Sequence, residues 1–373
     1  MVANTIQIPP PGHFIREELE ARGWTQAELA YMLDVPVQAV NMITSGKRGI
    51  TAEMAKKMAA AFDVAPEFFL NLQKTWELAH APEPDPSVAK KARLQSLYPV
   101  REMIKRKWLV STDAGTLEEE IARFFDVASA SEIPHMAHAA FRTRYDEIPP
   151  PQLAWLFRVR QIAKEMVVEG RYTPSSGREA VRKLSHLLSA PEEARHVPRI
   201  LSEAGIRYVL VESLPSAKID GVCCWLGDAA PVIGMSLRYD RIDSFWFVLR
   251  HEVEHVLRNH GRDVAMIDVD IDKTVGLEGI PEEERQANEA ASHFCVPKGE
   301  MDSFIARKQP FFSEHAILGF AGRLKLHPGL VAGQLRYRLK RWDLFSKHLA
   351  KIRFAVAPNA IIDGWGDVAP VGR

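Results

Sequence analysis

The chain has 373 residues, enough for two or three domains and a sizeable buried core. Apolar residues make up 46% and charged residues 26%, with 48 basic against 48 acidic side chains; this excludes wholesale disorder and a global polyelectrolyte mode of nucleic-acid binding, but not a local basic patch. No apolar run approaches the ~18 residues that span a bilayer, and the start lacks a signal-peptide pattern, so a cytoplasmic protein with no membrane partner is expected.

Residues 13 to about 80 read as a string of short helices. Phe14 to Arg22 is amphipathic, with Ile15 and Leu19 one turn apart, and Gly23 suits the left-handed position after it. Thr25 and Glu28 form a capping box for the next helix, which ends near Leu33. Asp34 sits at a tight turn, and Pro36 opens a helix over Val37 to Thr44. Gly46 ends that helix, and Thr51 caps a fourth. Two helices of about eight residues joined by a short turn are the helix-turn-helix signature, whose second helix enters the major groove. Val40 and Ile43 would then be core, while Gln38, Asn41 and Met42 would be exposed. Gln and Asn are the residue types that read adenine bidentately. Gln26, Lys47 and Arg48 would lie where phosphates run. The competing reading is a small helical bundle that binds no DNA, and the charge favours it: residues 1–80 carry 7 basic and 9 acidic side chains.

Three segments of this region resemble the HigA-type antitoxins of the Xre family. They are Pro11 to Leu19, Ser45 to Ala55 and Pro66 to Leu72. The resemblance covers about 60 residues and implies a dimeric DNA-binding repressor, with a cognate toxin as partner. Asp34 and Pro36 stand where that family usually has Gly and Ser.

Residues 81–87 read as a linker, because three alternating prolines cannot continue a helix. Residues 88–190 are again helical, with a break at 147–151. Strands are expected at 206–212, 221–226 and 231–237, where short apolar runs are bounded by Gly, Pro and Asp. Cys223 and Cys224 lie in one of them and read as core. With Cys295 they make an odd count without a C-x-x-C, which argues against a disulfide framework and a thiolate zinc cage.

A helix over about 244–259 carries His251-Glu252-Val253-Glu254-His255. Residues i and i+4 share a helix face, so both imidazoles can bind one Zn²⁺. Glu252 can take a proton from an attacking water and return it to the leaving amine. Phe245, Leu249, Val253 and Val256 form an apolar stripe beside that face. The bland alternative is two solvated or core-capping histidines. His260 falls one residue short of the extended H-E-x-x-H-x-x-G-x-x-H pattern, Arg258 stands where its Gly is required, and His260 reads as a surface residue. On a second helix, over about 281–294, Glu284 and Asn288 are similar to the E-x-x-x-D of thermolysin-like enzymes. There Glu binds zinc and the acid orients a histidine, with Asn288 in that second place here. Glu282 and Glu283 read as an acidic helix start.

The two motifs, with Glu284 to Pro297 as the second, resemble the ImmA/IrrE metallopeptidase family over about 155–345. The resemblance implies Zn²⁺ held by His251, His255 and Glu284, with Glu252 as general base. It also implies a narrow protein substrate, often a helix-turn-helix repressor. Glu254 replaces the usual Gly, and Ala290 the usual Phe.

Asp268-Val269-Asp270-Ile271-Asp272 hints at a calcium loop, but Lys273 and Gly279 stand at the positions that need Gly and Glu, so a solvated strand edge or loop is expected. His293 reads as structural. Residues 314–338 have the outline of a second helix-turn-helix, and 323–353 hold 9 basic residues and 1 acidic; a solvated helical pair is the preferred reading. The basic stretch 90–107 is ambiguous in the same way.

The expected fold is multidomain α+β. An all-α helix-turn-helix domain fills 1–80, a helical connector 81–154, and a zincin-like α+β domain with a small sheet and the H-E-x-x-H helix 155–345, with a tail over 346–373. The expected function is a homodimeric, operator-binding transcriptional regulator of antitoxin type carrying a zinc-dependent peptidase that cuts a specific protein. The alternatives are a non-catalytic repressor whose zinc domain senses or binds a partner, and a protease that uses its DNA-binding unit to find a repressor.

Overall fold

Helix punctuation builds the first unit. In this computed structural model, which describes residues 8–129, 149–262, 265–271, 280–356 and 361–364, the chain divides into Met1–Asp85 and Pro86–Arg373. Helix α1 (Pro11–Arg22) opens on a proline and stops at Gly23, where φ is 68°. Helix α2 (Gln26–Leu33) starts at the expected capping box: the Thr25 N–H donates to Glu28 Oε2 at 2.6 Å, and the Glu28 N–H donates to Thr25 Oγ1 at 3.2 Å. Asp34 takes φ 50° and turns the chain into α3 (Val37–Thr44). Thr51 caps α4 (Ala52–Phe62), and α5 (Pro66–His80) completes the unit. Ile15, Leu19, Leu29, Leu33, Val40, Ile43, Met58, Phe62 and Phe69 form one core. Each such side chain contributes about 1.5–3 kcal/mol when fully buried. Gly12 lets α1 cross α3 closely, since a Cβ there would stand 2.7 Å from Thr44 Cα. Arg16 reinforces the crossing by donating to the Thr44 carbonyl.

The second unit is built on a five-stranded mixed sheet of order β4-β2-β3-β1-β5. The strands are β1 (Arg207–Val211), β2 (Ile219–Trp225), β3 (Pro231–Met235), β4 (Met266–Val269) and β5 (Ile361–Asp363). β1 runs parallel to β3 and β5, and β2 runs antiparallel to β3 and β4. Every residue of β2 and β3 is buried, because helices cover both faces. Side chains alternate between the two cores: Cys223 and Trp225 join one, Val222 and Cys224 the other.

Helices α6 (Pro86–Leu97), α7 (Val100–Lys105), α8 (Ala114–Phe124) and α9 (Pro150–Glu165) supply one core through Leu94, Met103, Leu117, Ile121, Trp155 and Val159, joined by Trp108 from the link between α7 and α8. Residues 86–124 therefore pack as part of the second unit instead of standing apart as a connector. Their apolar residues face sheet residues Val209 and Val222 in one cluster. The expected break at 147–151 falls partly outside the described residues, as do Asp272, Lys273 and Gly279. On the other face lie α10 (Pro174–Ser185), α11 (Val197–Glu203) and α12 (Ile242–Leu257). They are followed by α13 (Glu282–Cys295), α14 (Lys298–Lys308), α15 (Glu314–Leu324) and α16 (Pro328–Leu339).

The segment expected as a tail also differs. Its residues 361–363 form β5 beside β1, where the buried Asp363 accepts a hydrogen bond from Trp108 Nε1 at 3.3 Å and pairs with Arg158. Helices α15 and α16 have the expected helix-turn-helix outline, with Lys325 left-handed at φ 57°. Yet α16 buries Leu330, Val331 and Leu335 in the core. Its basic neighbours are neutralised within the unit, Arg323 by Glu300, Arg338 by Asp302, Arg341 by Asp343 and Lys347 by Glu314. Among the described residues no helix is long and apolar enough to cross a membrane.

Candidate metal centre and nucleic-acid interface

Helix α12 buries its expected stripe, Phe245, Leu249, Val253 and Val256. One helical face over, His251 and His255 are fully buried, with their Nε2 atoms 3.0 Å apart. Helix α13 packs against α12 and brings in Glu284. Its Oε2 lies 3.3 Å from His251 Nε2, and its Oε1 lies 3.7 Å from His255 Nε2. The expected third ligand is therefore at the site.

A fourth group joins them. Asp268 on β4 places Oδ2 3.3 Å from His251 Nε2. Ligand atoms of His251, His255, Asp268 and Glu284 all lie within 4.8 Å of one another. The expectation of a solvated strand edge is corrected here: Asp268 is only 6% exposed. The register explains its aim. β2 carries a bulge between Ile219 and Gly221 opposite β4, which sets Gly221 across from Asp268. Bulges re-aim side chains and are common beside functional sites.

Glu252 is fully buried, and neither of its carboxylate oxygens has a hydrogen-bond partner among the described residues. It occupies space that only a glycine leaves free: a Cβ on Gly221 would overlap Glu252 Oε1 and stand 2.8 Å from its Cδ. Burial, then the charges of Asp268 and Glu284, push the Glu252 carboxyl well above the usual carboxylate range. Burial alone would lower His251, but Asp268 and Glu284 outweigh it and push this imidazole up to about 10. Burial would raise Asp268, but the facing His251 holds it well below the ordinary range. Burial also raises Glu284, with Asp268 adding to the effect, and it pushes His255 down to about 3.

His260 differs from the expected surface residue. The helix ends in a turn with Asn259 at φ 59° and Gly261 at φ 76°, which folds His260 back over α12. Its Nδ1 lies 3.0 Å from His255 Nδ1, and its carbonyl accepts Trp225 Nε1 at 2.8 Å. His260 thus fixes the ring of His255 from behind, the role that outer hydrogen bonds play for metal ligands. Asn288 is buried one turn beyond Glu284, but its Oδ1 and His251 Nδ1 both lack a hydrogen-bond partner, so the expected bond between them is not formed. Glu254 is clamped by Arg250 at 2.7 Å and Arg258 at 2.6 Å. Burial would raise its carboxyl, but these two guanidinium groups hold it below the ordinary range. His293 accepts the Lys298 N–H at 3.3 Å, a structural role.

Zn²⁺ fits this donor set. Zinc–N and zinc–O bonds of 2.0–2.1 Å make a tetrahedron whose donors stand about 3.3–3.4 Å apart. The separations of 3.0, 3.3, 3.3 and 3.7 Å bracket that edge. Two buried carboxylates, Glu252 and Asp268, with the half-buried Glu284 beside them, also call for a cation.

In the first unit, α3 turns Gln38, Asn41 and Met42 outward and Val40 and Ile43 inward, as expected. Lys47 and Arg48 are exposed just past its end, and Gln26 is half-buried at the start of α2. Tyr31, on the exposed side of α2, is 88% accessible.

Residues 15–69 match the helix-turn-helix family. Virulence-associated protein A' of Dichelobacter nodosus is 42% identical over 85 residues, which cover 22% of this chain and 74% of that protein. The uncharacterized HTH-type transcriptional regulator YddM of Escherichia coli (strain K12) is 33% identical over 73 residues, covering 20% of this chain and 78% of that protein. The structure of an addiction module antidote protein of a HigA family from Coxiella burnetii is 29% identical, covers 24% of this chain and 95% of that one, and superposes with a TM-score of 0.20. Each likeness spans a quarter of the chain or less, so the metal centre rests on its own geometry. Through its first unit, this chain belongs to the helix-turn-helix family.

Proposed function

We propose that this chain is a DNA-binding transcriptional regulator of antitoxin type whose second unit is a zinc-dependent peptidase. On the DNA side, Gln38 and Asn41 read base edges in the major groove, and Met42 offers apolar contact to a thymine methyl. Lys47, Arg48 and Gln26 hold phosphates. A homodimer places two such helices one helical turn of DNA apart and supplies the affinity that one short helix lacks. A cognate toxin is a further expected partner.

In the second unit, His251, His255 and Glu284 would hold Zn²⁺, which when bound would supply Lewis-acid polarisation of a peptide carbonyl. Glu252 takes a proton from the attacking water and passes it to the leaving amine. A carboxyl raised by burial is suited to both halves of that transfer. His260 keeps the His255 ring in place. The substrate is a protein, and a helix-turn-helix repressor is the favoured class.

One observation carries the hydrolase reading. Donors from α12 and α13 converge at tetrahedral spacing beside a buried carboxylate that makes no hydrogen bond. A second reading, a metal-binding regulator without catalysis, is favoured by Asp268, because a fourth protein donor is the mark of a structural zinc site. The two separate in cells expressing the wild type or Glu252→Gln. Labelling of protein N-termini should reveal a new terminus, in a repressor, that depends on Glu252. Identical sets of termini in the two strains would leave the non-catalytic regulator.

A further inference from the structure

We propose that Asp268 is the fourth protein donor of the metal site in its resting state, so that polarising a peptide carbonyl there would require Asp268 to give up its position or the ion to take a fifth ligand. This rests on the metal-binding reading above and specifies the state in which that site waits.

Spacing is the first support. Asp268 Oδ2 stands 3.3 Å from His251 Nε2, the same separation that Glu284 Oε2 keeps from that atom. Both match the edge of a tetrahedron of zinc ligands, about 3.3–3.4 Å. An outer residue that merely oriented His251 would approach its Nδ1, and that atom is without a partner.

Desolvation is the second. Asp268 Oδ2 is buried and meets no donor except the His251 ring 3.3 Å away, whose Nε2 the metal would take as a ligand, so its lost hydration would then be offset by the ion. Two carboxylates and two neutral imidazoles around a divalent ion make a donor set without net charge.

Delivery is the third. The bulged Asp220 accepts the Ile271 N–H at 2.8 Å on Oδ2 and Arg238 Nε at 3.1 Å on Oδ1. Arg238 also donates to Asp270 at 2.7 Å. These bonds clasp the chain just past β4, two and three residues beyond Asp268, and preorganise its carboxylate. A ligand placed by such support is held to the tolerance that metal sites require. The resulting set of two nitrogens and two oxygens suits zinc and similar first-row divalent ions. It does not suit Ca²⁺ or Mg²⁺, which take oxygen ligands.

The test loads the full chain with Co²⁺ as a spectroscopic stand-in and measures Zn²⁺ affinity by competition. Wild type should show the intense visible absorption of four-coordinate Co²⁺. In Asp268→Ala the band should weaken and shift as water enters, Zn²⁺ affinity should fall more than about tenfold, and added acetate should restore the band. Asp268→Asn, nearly isosteric, should show the same loss of affinity and carries the test if the alanine variant does not fold. Wild-type bands and affinities in the folded Asp268 variants, with Glu284→Ala losing metal, would overturn the fourth-donor assignment alone. Failure of the wild type to take up either ion would overturn the metal reading itself, and this proposal with it.

Discussion

The two candidate functional faces of this chain are made in opposite ways. The recognition surface on α3 is local: within residues 25–51, a capping box, one left-handed Asp and a second Thr cap present exposed polar side chains on a small apolar core. The metal cluster is non-local and dry. It gathers residues 251–255, 268 and 284 from two helices and a strand, and buries nearly all of them. An exposed surface tolerates the loss of one side chain in stability while changing its specificity. A buried polar cluster does the reverse, because each group removed leaves others unpaired.

The largest effect that sharpens this contrast is on metal-coupled stability. Zn²⁺ at a thousandfold excess over its Kd should stabilise the second unit by about 4 kcal/mol, read as a rise in its unfolding midpoint. Glu284→Ala should abolish most of that rise. His251 carries a proton in the metal-free protein below about 10 and must lose it on binding, so Zn²⁺ affinity should climb with pH toward that value. Where that single proton is released, the climb is about tenfold per pH unit. Calorimetry in buffers of different ionisation enthalpy should count it, and a pH-independent affinity between 6 and 8 would break the picture.

Next comes Gly221→Ala, whose new methyl group displaces Glu252 and should cost about 1–3 kcal/mol by overpacking. Urea unfolding of the second unit should show it, with DNA binding unchanged. On the surface side, Gln38→Ala and Asn41→Ala should each remove about 1–3 kcal/mol of base discrimination without a change in melting. The readout is competition between a duplex selected from a random pool by the wild type and a scrambled one; equal losses on both would assign these side chains to phosphates. The smallest effect is Thr25→Ala, which should lower first-unit stability by about 1 kcal/mol in a thermal melt.

The same contrast explains what could be read from the sequence. The Thr25–Glu28 box, the Asp34 turn and the outward Gln38 and Asn41 follow from chemistry confined to a few neighbouring residues. His251, His255 and Glu284 were also legible, because i, i+4 spacing on a helix fixes a face whatever the rest of the chain does. Asp268 was not, since its direction depends on pairing with β2 some 45 residues earlier and on a bulge at Asp220. Its acidic neighbours disguised it as a loop. His260 failed as a match to a ligand pattern, yet the Asn259 and Gly261 beside it are the residue types of a chain that turns back. β5 is three residues long, too short for any periodicity to announce it.

That short strand has a consequence for biosynthesis. The first unit is complete once residue 85 has been made, whereas the sheet of the second waits for β5, roughly 280 residues later. At about 5–20 residues per second, that is an interval of tens of seconds on the ribosome. Throughout it, each nascent chain is already able to fold its DNA-reading helices, while Asp363 has yet to reach Arg158 and Trp108. Newly made protein can thus fold its helix-turn-helix unit before the sheet that carries Asp268 is complete.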